Sequence, residues 1–127
     1  MLNPLRALRV VGRRSLKVYY DEAFRLPLSG ADASPAHIET RRADDAVHYL
    51  LRERAVSPSA VVNPEPASYE DLARVHTAAY LEQLHEPRTL ADIFAVDPSD
   101  VYVDEMLRSV RLGCGATLEG ARTTLRT

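Results

Sequence analysis

The chain has 127 residues, of which 46% are apolar and 27% are charged, and its formal net charge is −2. These values are typical of one small globular domain, and no apolar run approaches the roughly 20 residues that a membrane-spanning helix needs. Cys114 is the sole cysteine, so an internal disulfide is excluded, which fits a reducing compartment and predicts a cytoplasmic protein.

The charge is distributed unevenly along the chain. The first 20 residues carry five basic side chains and no acid, which leaves 11 bases against 18 acids for the rest. A basic start is found in nucleic-acid-binding arms and in transit peptides, but Pro4 and Gly12 interrupt any helix here. Residues 1–16 are therefore predicted to be a basic extension. The acidic remainder argues against nucleic acid as a partner, and no membrane partner is predicted.

A strand, a loop and a helix are predicted in the first half of the chain. The β-forming run Val18-Tyr19-Tyr20 predicts a strand over residues 17–21. Prolines, serines and a glycine predict a loop over residues 25–35. An apolar stripe predicts a helix over residues 36–54, and its members are Ala43, Ala46, Val47, Leu50 and Leu51.

The short apolar run Ala60-Val61-Val62 predicts a second strand. A helix between two strands is the alternation that predicts a parallel pair in an α/β domain. We therefore expect this run to lie beside the strand at Val18–Tyr20.

Two short helices are predicted from the residues after Pro66. Ser68 precedes Asp71 by three positions, which is the spacing of a capping box. Leu72 and Val75 then follow at helical spacing. Thr77 is predicted to cap a second helix after a bend at His76-Thr77.

The last third of the chain is predicted to be an irregular segment followed by a long helix. Pro87 and Pro98 act as breakers in this interpretation, with Ile93-Phe94 as a small apolar anchor. Apolar residues at every third or fourth position then predict a helix over residues 104–125. Its three glycines each cost roughly 1 kcal/mol against alanine, so they predict close packing of this helix: Gly113, Gly115 and Gly120.

These segments, in this order, resemble the start of the histone deacetylase family, which includes bacterial acetoin-utilisation and acetylpolyamine amidohydrolase types. The resemblance rests on several short matches, which are Val18-Tyr19-Tyr20-Asp21, Asp71-Leu72, Val75-His76, Tyr80-Leu81, and the run Leu112 to Leu118 with Ala121. A partial match adds His37, Glu39 and an arginine at 42 but lacks the family's proline. The resemblance covers residues 17–125 and about a third of the family's domain.

The resemblance implies a three-layer α/β/α fold of the arginase/deacetylase type, with residues 17–127 as its N-terminal portion. It also implies hydrolysis of acetyl-amide bonds by a zinc ion, which two aspartates and a histidine hold in the family, together with a His-His pair and a tyrosine. Those motifs follow the glycine-bearing helix in the family. None occurs in this chain, which has no adjacent histidines and no D-x-D or D-x-H triplet.

The residues of this chain therefore predict no catalytic residue, no metal site and no cofactor. His37 and His48 share a predicted helix face, but the roughly 16 Å that separates them along the axis is too far for one zinc ion. His76 is predicted to be a structural histidine bonded to backbone or to a carboxylate. Cys114 is predicted to lie in the core.

Asp100 is the one candidate site residue. The resemblance implies that the loop over residues 25–35 helps to form the rim of the substrate tube. It also implies that an aspartate near position 100 lies at this rim and holds the substrate backbone, and Asp97 is a rival for this role. A solvated loop carboxylate is the alternative for both.

The sequence is compatible with two hypotheses about function. The chain is either a truncated deacetylase-like protein, inactive alone, or a non-catalytic α/β binding module. The predicted partners are the C-terminal remainder of such a domain or a second copy of the chain, with acetylated substrates implied by the family.

Overall fold

The structure is a computed structural model that describes residues 16–28 and 39–126. The elements in this part of the chain are β1 (Val18–Tyr19), α1 (Arg42–Arg52), β2 (Val61–Val62), α2 (Tyr69–Ala73), α3 (Ala78–Gln83), α4 (Pro87–Phe94) and α5 (Val103–Leu125). Three 3-10 turns lie at Glu22–Phe24, Pro58–Ala60 and Pro98–Asp100. The predicted extension at residues 1–16 lies almost wholly outside the described residues. No helix that the structure describes is both long and apolar enough to cross a membrane.

The two strands form a parallel pair, as predicted. Val18 faces Val61 and Tyr19 faces Val62, and the Tyr20 N–H extends the ladder by donating to the Val62 carbonyl at 3.0 Å. Helix α1 lies between the strands in sequence, which is the expected connection for parallel strands. The described residues therefore form a mixed α and β structure with a parallel sheet of two strands.

Helix α1 is shorter than the predicted helix. It begins at Arg42, and Arg54 adopts a left-handed conformation with φ of 54° just beyond its end. Residues 36–38 of the predicted helix lie outside the described residues. Val47 is buried as expected, but Ala46 is exposed. The other buried position of α1 is the charged Asp44.

The predicted caps of α2 and α3 are both present. Ser68 and Asp71 form a reciprocal capping box, with the Asp71 N–H donating to Ser68 Oγ at 3.0 Å. Thr77 Oγ1 accepts from the Tyr80 N–H at 3.2 Å and begins α3. The bend predicted at His76-Thr77 therefore separates two real helices.

The expectation of an irregular segment after residue 86 is wrong. Pro87 is the first residue of α4, where the missing N–H of proline costs no hydrogen bond. Ala95, with φ of 53°, ends the helix. Leu90 and Ala91 are buried, and Phe94 packs against the core, whereas Ile93 is 51% exposed. The predicted apolar anchor is therefore correct at Phe94 and wrong at Ile93.

Helix α5 runs from Val103 to Leu125, close to its predicted bounds, and forms one side of the main core. Leu28, Leu90, Met106 and Leu107 are the buried members of this core. Half-buried apolar residues surround them: Leu26, Leu84, Phe94, Val96, Val101 and Val103. The core thus joins the segment after β1 to α4 and to the first turns of α5.

The glycine prediction is correct at one of its three positions. A Cβ added to Gly115 would lie 1.8 Å from the Glu65 carbonyl oxygen, so α5 touches the segment after β2 here. The Ala67 N–H donates to the Arg111 carbonyl at 2.9 Å across the same contact. Gly113 faces open space, and Gly120 makes only an ordinary contact with the Tyr19 ring.

Candidate functional site

Polar residues collect where the two strands end. Asp21 directly follows β1, and Asn63 follows β2. Asn63 Nδ2 donates to Asp21 Oδ2 at 2.9 Å, and the Ala23 N–H donates to Oδ1 at 2.8 Å. These two hydrogen bonds, that from Ala23 first, hold the pKa of Asp21 below its ordinary value of 3.8. Sites of parallel α/β proteins lie at this carboxyl edge of the sheet.

A buried carboxylate lies beside this edge. The Asp44 side chain is fully buried, and the Tyr20 hydroxyl donates to its Oδ1 at 2.6 Å. Arg25 Nε donates to Oδ2, and Arg41 Nε lies 3.8 Å from the same oxygen. One carboxylate therefore ties the end of β1, the turn that follows it and the start of α1 together. We call Tyr20, Arg25 and Asp44 the Asp44 cluster.

The cluster holds its proton on Tyr20 and its negative charge on Asp44. Burial alone would raise the pKa of Asp44, but hydrogen bonds from Tyr20 and Arg25 outweigh it and place that pKa below 3.8. Burial first, and then the hydrogen bond to the Asp44 carboxylate, raise the pKa of Tyr20 to about 12. At neutral pH the pair is thus a fixed carboxylate and a neutral phenol, which suits a positioning role better than proton transfer.

One feature of the sequence indicates this cluster, namely the position of Asp44 on the apolar face of the predicted helix. Asp44 lies three residues before Val47 and seven before Leu51, so it shares their face of α1. A carboxylate on such a face is buried with partners. Its partners come from residues 20 and 25, and only the folded chain identifies them.

The candidate rim residue Asp100 lies next to the start of the predicted loop. Leu28 and Val101 form an isolated antiparallel bridge across 73 positions of sequence. Asp100 is half-buried at the end of the 3-10 turn, and its N–H donates to the Asp97 carbonyl at 2.9 Å. Residues 29–35 of the predicted loop lie outside the described residues.

The rival Asp97 has a local structural role. Its Oδ1 accepts from the Ser99 N–H at 2.9 Å and from the Ser99 hydroxyl at 2.6 Å, which caps the turn. These hydrogen bonds, that from the hydroxyl first, lower the pKa of Asp97 below 3.8. Asp97 is therefore the residue that caps this turn.

The three histidines that the structure describes are not gathered into one site. His76 is exposed and lies against the Tyr80 ring at 5.0 Å between centroids, so the prediction of a hydrogen-bonded histidine on an apolar face is wrong. His85 lies 5.9 Å from the Tyr69 ring, and His48 is exposed on α1. His37 lies outside the described residues.

The described residues do not fit the zinc ion that the resemblance implies. Among residues 16–28 and 39–126, no three side chains of histidine, cysteine, aspartate or glutamate are placed to share one metal ion. A catalytic zinc ion needs about three such ligands.

Two of the grooves on the surface of the described chain differ in size and lining. The larger, about 600 Å³, lies between α2 and α5, and Cys114 is half-buried in its wall, so this thiol is not in the core. The smaller, about 300 Å³, lies between Lys17 and Ser57 at the amino ends of the strands. Its lining reaches Val62, the last residue of β2, and includes no acidic side chain and no histidine.

Comparison with known proteins gives no family model that matches the chain, and no curated protein and no solved structure matches it either.

Proposed function

We propose that residues 17–127 are the N-terminal portion of a deacetylase-like domain, which supplies part of the substrate rim and none of the catalytic groups. The motif order from Val18 to Ala121 supports the family, and the parallel pair of β1 and β2 agrees with its α/β fold. In this proposal the two strands belong to the central sheet of a three-layer α/β/α domain.

The bridge between Leu28 and Val101 is the observation that carries the proposal. The resemblance assigns two separate segments to the rim, namely the loop over residues 25–35 and the turn at Asp100. The start of the first and the end of the second are hydrogen-bonded neighbours in the fold. Because 73 positions separate these residues, only tertiary packing brings the two predicted rim segments together.

The Asp44 cluster gives the rim a rigid base. Arg25 lies three residues before Leu28, and its carbonyl accepts from the Ser109 hydroxyl of α5 at 3.3 Å. Its guanidinium binds the buried Asp44 carboxylate. The first residues of the loop are therefore held by both α1 and α5, as a substrate rim requires.

The role proposed for Asp100 is a hydrogen bond from the substrate backbone to its carboxylate. Such a bond to a charged group contributes about 1.5–3 kcal/mol, so its loss weakens binding by about tenfold or more. Asp92 is an exposed aspartate on α4 and is the matched control position.

Binding of a short acetyl-lysine peptide, followed by NMR of the labelled chain, tests the proposal. We expect the amide signals of Leu28, Asp100 and Val101 to shift. We expect D100N to weaken the peptide about tenfold, while D92N leaves its affinity unchanged. Shifts confined to other surfaces, or equal affinities for D100N and D92N, would refute the rim and favour a non-catalytic module of unrelated specificity.

A further inference from the structure

The smaller groove, of about 300 Å³, has one charged side chain in its lining. That side chain is Lys17, the single lysine of the chain. Two serines give the groove its hydroxyl groups, and apolar residues complete the lining: Leu16, Ala55, Val56, Ala60 and Val62. A volume of about 300 Å³ is at the lower end of the range for small-molecule sites, so the groove suits a small ligand.

The charge of Lys17 is not neutralised by the described part of the chain. Its ammonium group forms none of the ion pairs within residues 16–28 and 39–126, and the lining contains no acidic side chain. Lys17 is exposed, so a ligand reaches it without any opening of the fold. One base and no acid give the lining a formal charge of +1, which is complementary to a ligand with one negative charge.

The two serine hydroxyls of the groove are not used by the backbone. Ser57 precedes the 3-10 turn Pro58–Ala60 at the capping position, but its side chain forms no capping hydrogen bond. Its Oγ instead lies 2.9 Å from Ser59 Oγ. Each hydroxyl has one proton to donate, so the pair uses one proton internally and has one O–H left for a ligand.

The backbone holds these groups in place before any ligand binds. The Ala60 N–H donates to the Ser57 carbonyl at 2.9 Å and closes the turn that bears the serines. Lys17 directly precedes β1, and β1 pairs with β2 directly after that turn. The ammonium group and the hydroxyl pair therefore come from two segments that the parallel sheet joins, which lowers the ordering cost of binding.

Charge and donor number together select a carboxylate over a phosphate. A carboxylate has one negative charge and two oxygens, which match one ammonium group and one free hydroxyl proton. A phosphate monoester carries a charge of about −1.5 to −2 and three acceptor oxygens, so a single lysine leaves part of its charge uncompensated. Leu16, which is 60% exposed, and Val62 offer apolar surface to the body of the ligand.

We propose that the smaller groove binds a small monocarboxylate with an apolar body. The Lys17 ammonium group donates to one carboxylate oxygen, the free serine hydroxyl donates to the other, and the apolar body packs on Leu16 and Val62. None of these residues belongs to the Asp44 cluster or to the turn at Asp100. The proposal therefore does not depend on the deacetylase-like function.

The single lysine is also a reporter for the site. Succinimidyl acetate is an uncharged reagent that acetylates free amines, and the full chain offers it Lys17 and the α-amino group. At about ten times its dissociation constant, we expect benzoate to slow acetylation of Lys17 about tenfold by mass action. Acetylation of the α-amino group, measured by mass spectrometry in the same sample, should not change. Benzamide, the neutral isostere, and phenyl phosphate should each protect Lys17 less than benzoate does at equal concentration.

Variants test the two sides of the groove, with the amide NMR signals of Ser57 and Ser59 as the readout of benzoate binding. K17Q should weaken benzoate about tenfold, the effect of losing one charge-assisted hydrogen bond. R88Q removes an exposed base from α4 and should leave the affinity unchanged. L16D places a negative charge at an exposed position of the groove and should abolish binding, with an unchanged far-UV circular dichroism spectrum.

Four results would each overturn the proposal. They are no protection of Lys17 by benzoate, equal protection by benzamide, stronger protection by phenyl phosphate, and equal benzoate affinities for K17Q and R88Q. Equal protection of the α-amino group would show non-specific association and would overturn it as well.

Discussion

The burial of the Asp44 carboxylate is the main feature at the residue scale that the structure shows and that the sequence did not predict. This carboxylate is fully buried and receives hydrogen bonds from Tyr20 and Arg25. A buried charge is tolerated only when such partners compensate its loss of hydration. The Arg25 side chain is 41% exposed, so water weakens its share of this compensation.

We expect D44N to destabilise the chain by about 2–3 kcal/mol, because it leaves Arg25 without its buried partner while the Tyr20 hydrogen bond persists. Asp45 is the adjacent and exposed acid, and D45N should change stability by less than about 0.5 kcal/mol. Urea denaturation of the two variants measures the difference. Equal midpoints for D44N and D45N would show that the cluster does not stabilise the fold.

The raised pKa of Tyr20 predicts a loss of stability in alkali. Its pKa of about 12 exceeds the ordinary value of 10.0, so the folded state holds the proton more tightly than the unfolded state does. The stabilisation is complete below pH 10 and is lost as the pH rises to 12. Urea midpoints measured from pH 9 to 12 should therefore fall more steeply for the wild-type chain than for Y20F. Parallel pH profiles would contradict the predicted shift.

Helix α5 owes its position to one glycine. At Gly115 the helix backbone touches the Glu65 carbonyl, where a methyl group cannot fit. Gly113, two residues earlier, is exposed and faces open space. The same substitution at the two sites therefore tests close packing against helix propensity.

We expect G115A to destabilise the chain by about 1–3 kcal/mol through overpacking. G113A should instead stabilise it by about 0.5–1 kcal/mol, because alanine favours the helix and meets no neighbour. Thermal or urea unfolding of both variants provides the measurement. A stabilising G115A would show that α5 does not lie against Glu65.

At the scale of the whole molecule, apolar surface remains uncovered. Val75, Val110 and Leu125 are 77%, 40% and 87% exposed, and the described sheet has two strands only. Two-stranded sheets are marginal by themselves. Exposed apolar side chains of this kind favour association, either with the remainder of a domain or with a second copy.

We expect the isolated chain to self-associate as its concentration rises, which sedimentation velocity measures. V110K should reduce this association, because Val110 lies on the exposed side of α5. I93K removes a similarly exposed apolar side chain from α4 and shows whether the association depends on α5. A single monomeric species at every concentration, with cooperative unfolding, would contradict the expectation.

We also expect the isolated chain to show no zinc-dependent hydrolysis of acetyl-lysine, because no His-His pair occurs in its sequence and its described part holds no set of zinc ligands. An assay with added zinc, beside a metal-content measurement, tests this. Turnover that a chelator abolishes, together with one equivalent of bound zinc, would prove the prediction wrong.

The sequence by itself determined the elements that depend on neighbouring residues. The capping box at Ser68, the cap at Thr77, the bounds of α5 and the parallel pairing of β1 with β2 were all predictable, because each follows from local hydrogen bonding or from the order of elements. Helix α4 was missed because a proline both breaks a helix and begins one, and only the residues that pack behind it distinguish the two.

Only the tertiary structure decided which distant groups meet. The burial of Asp44 against Tyr20 and Arg25, the bridge between Leu28 and Val101, and the contact of Gly115 with Glu65 each join residues from different elements. Such contacts depend on how whole elements pack, which no local pattern encodes. Gly113 and Gly115 illustrate this, because both are helical glycines in the sequence but only Gly115 packs against another segment in the fold.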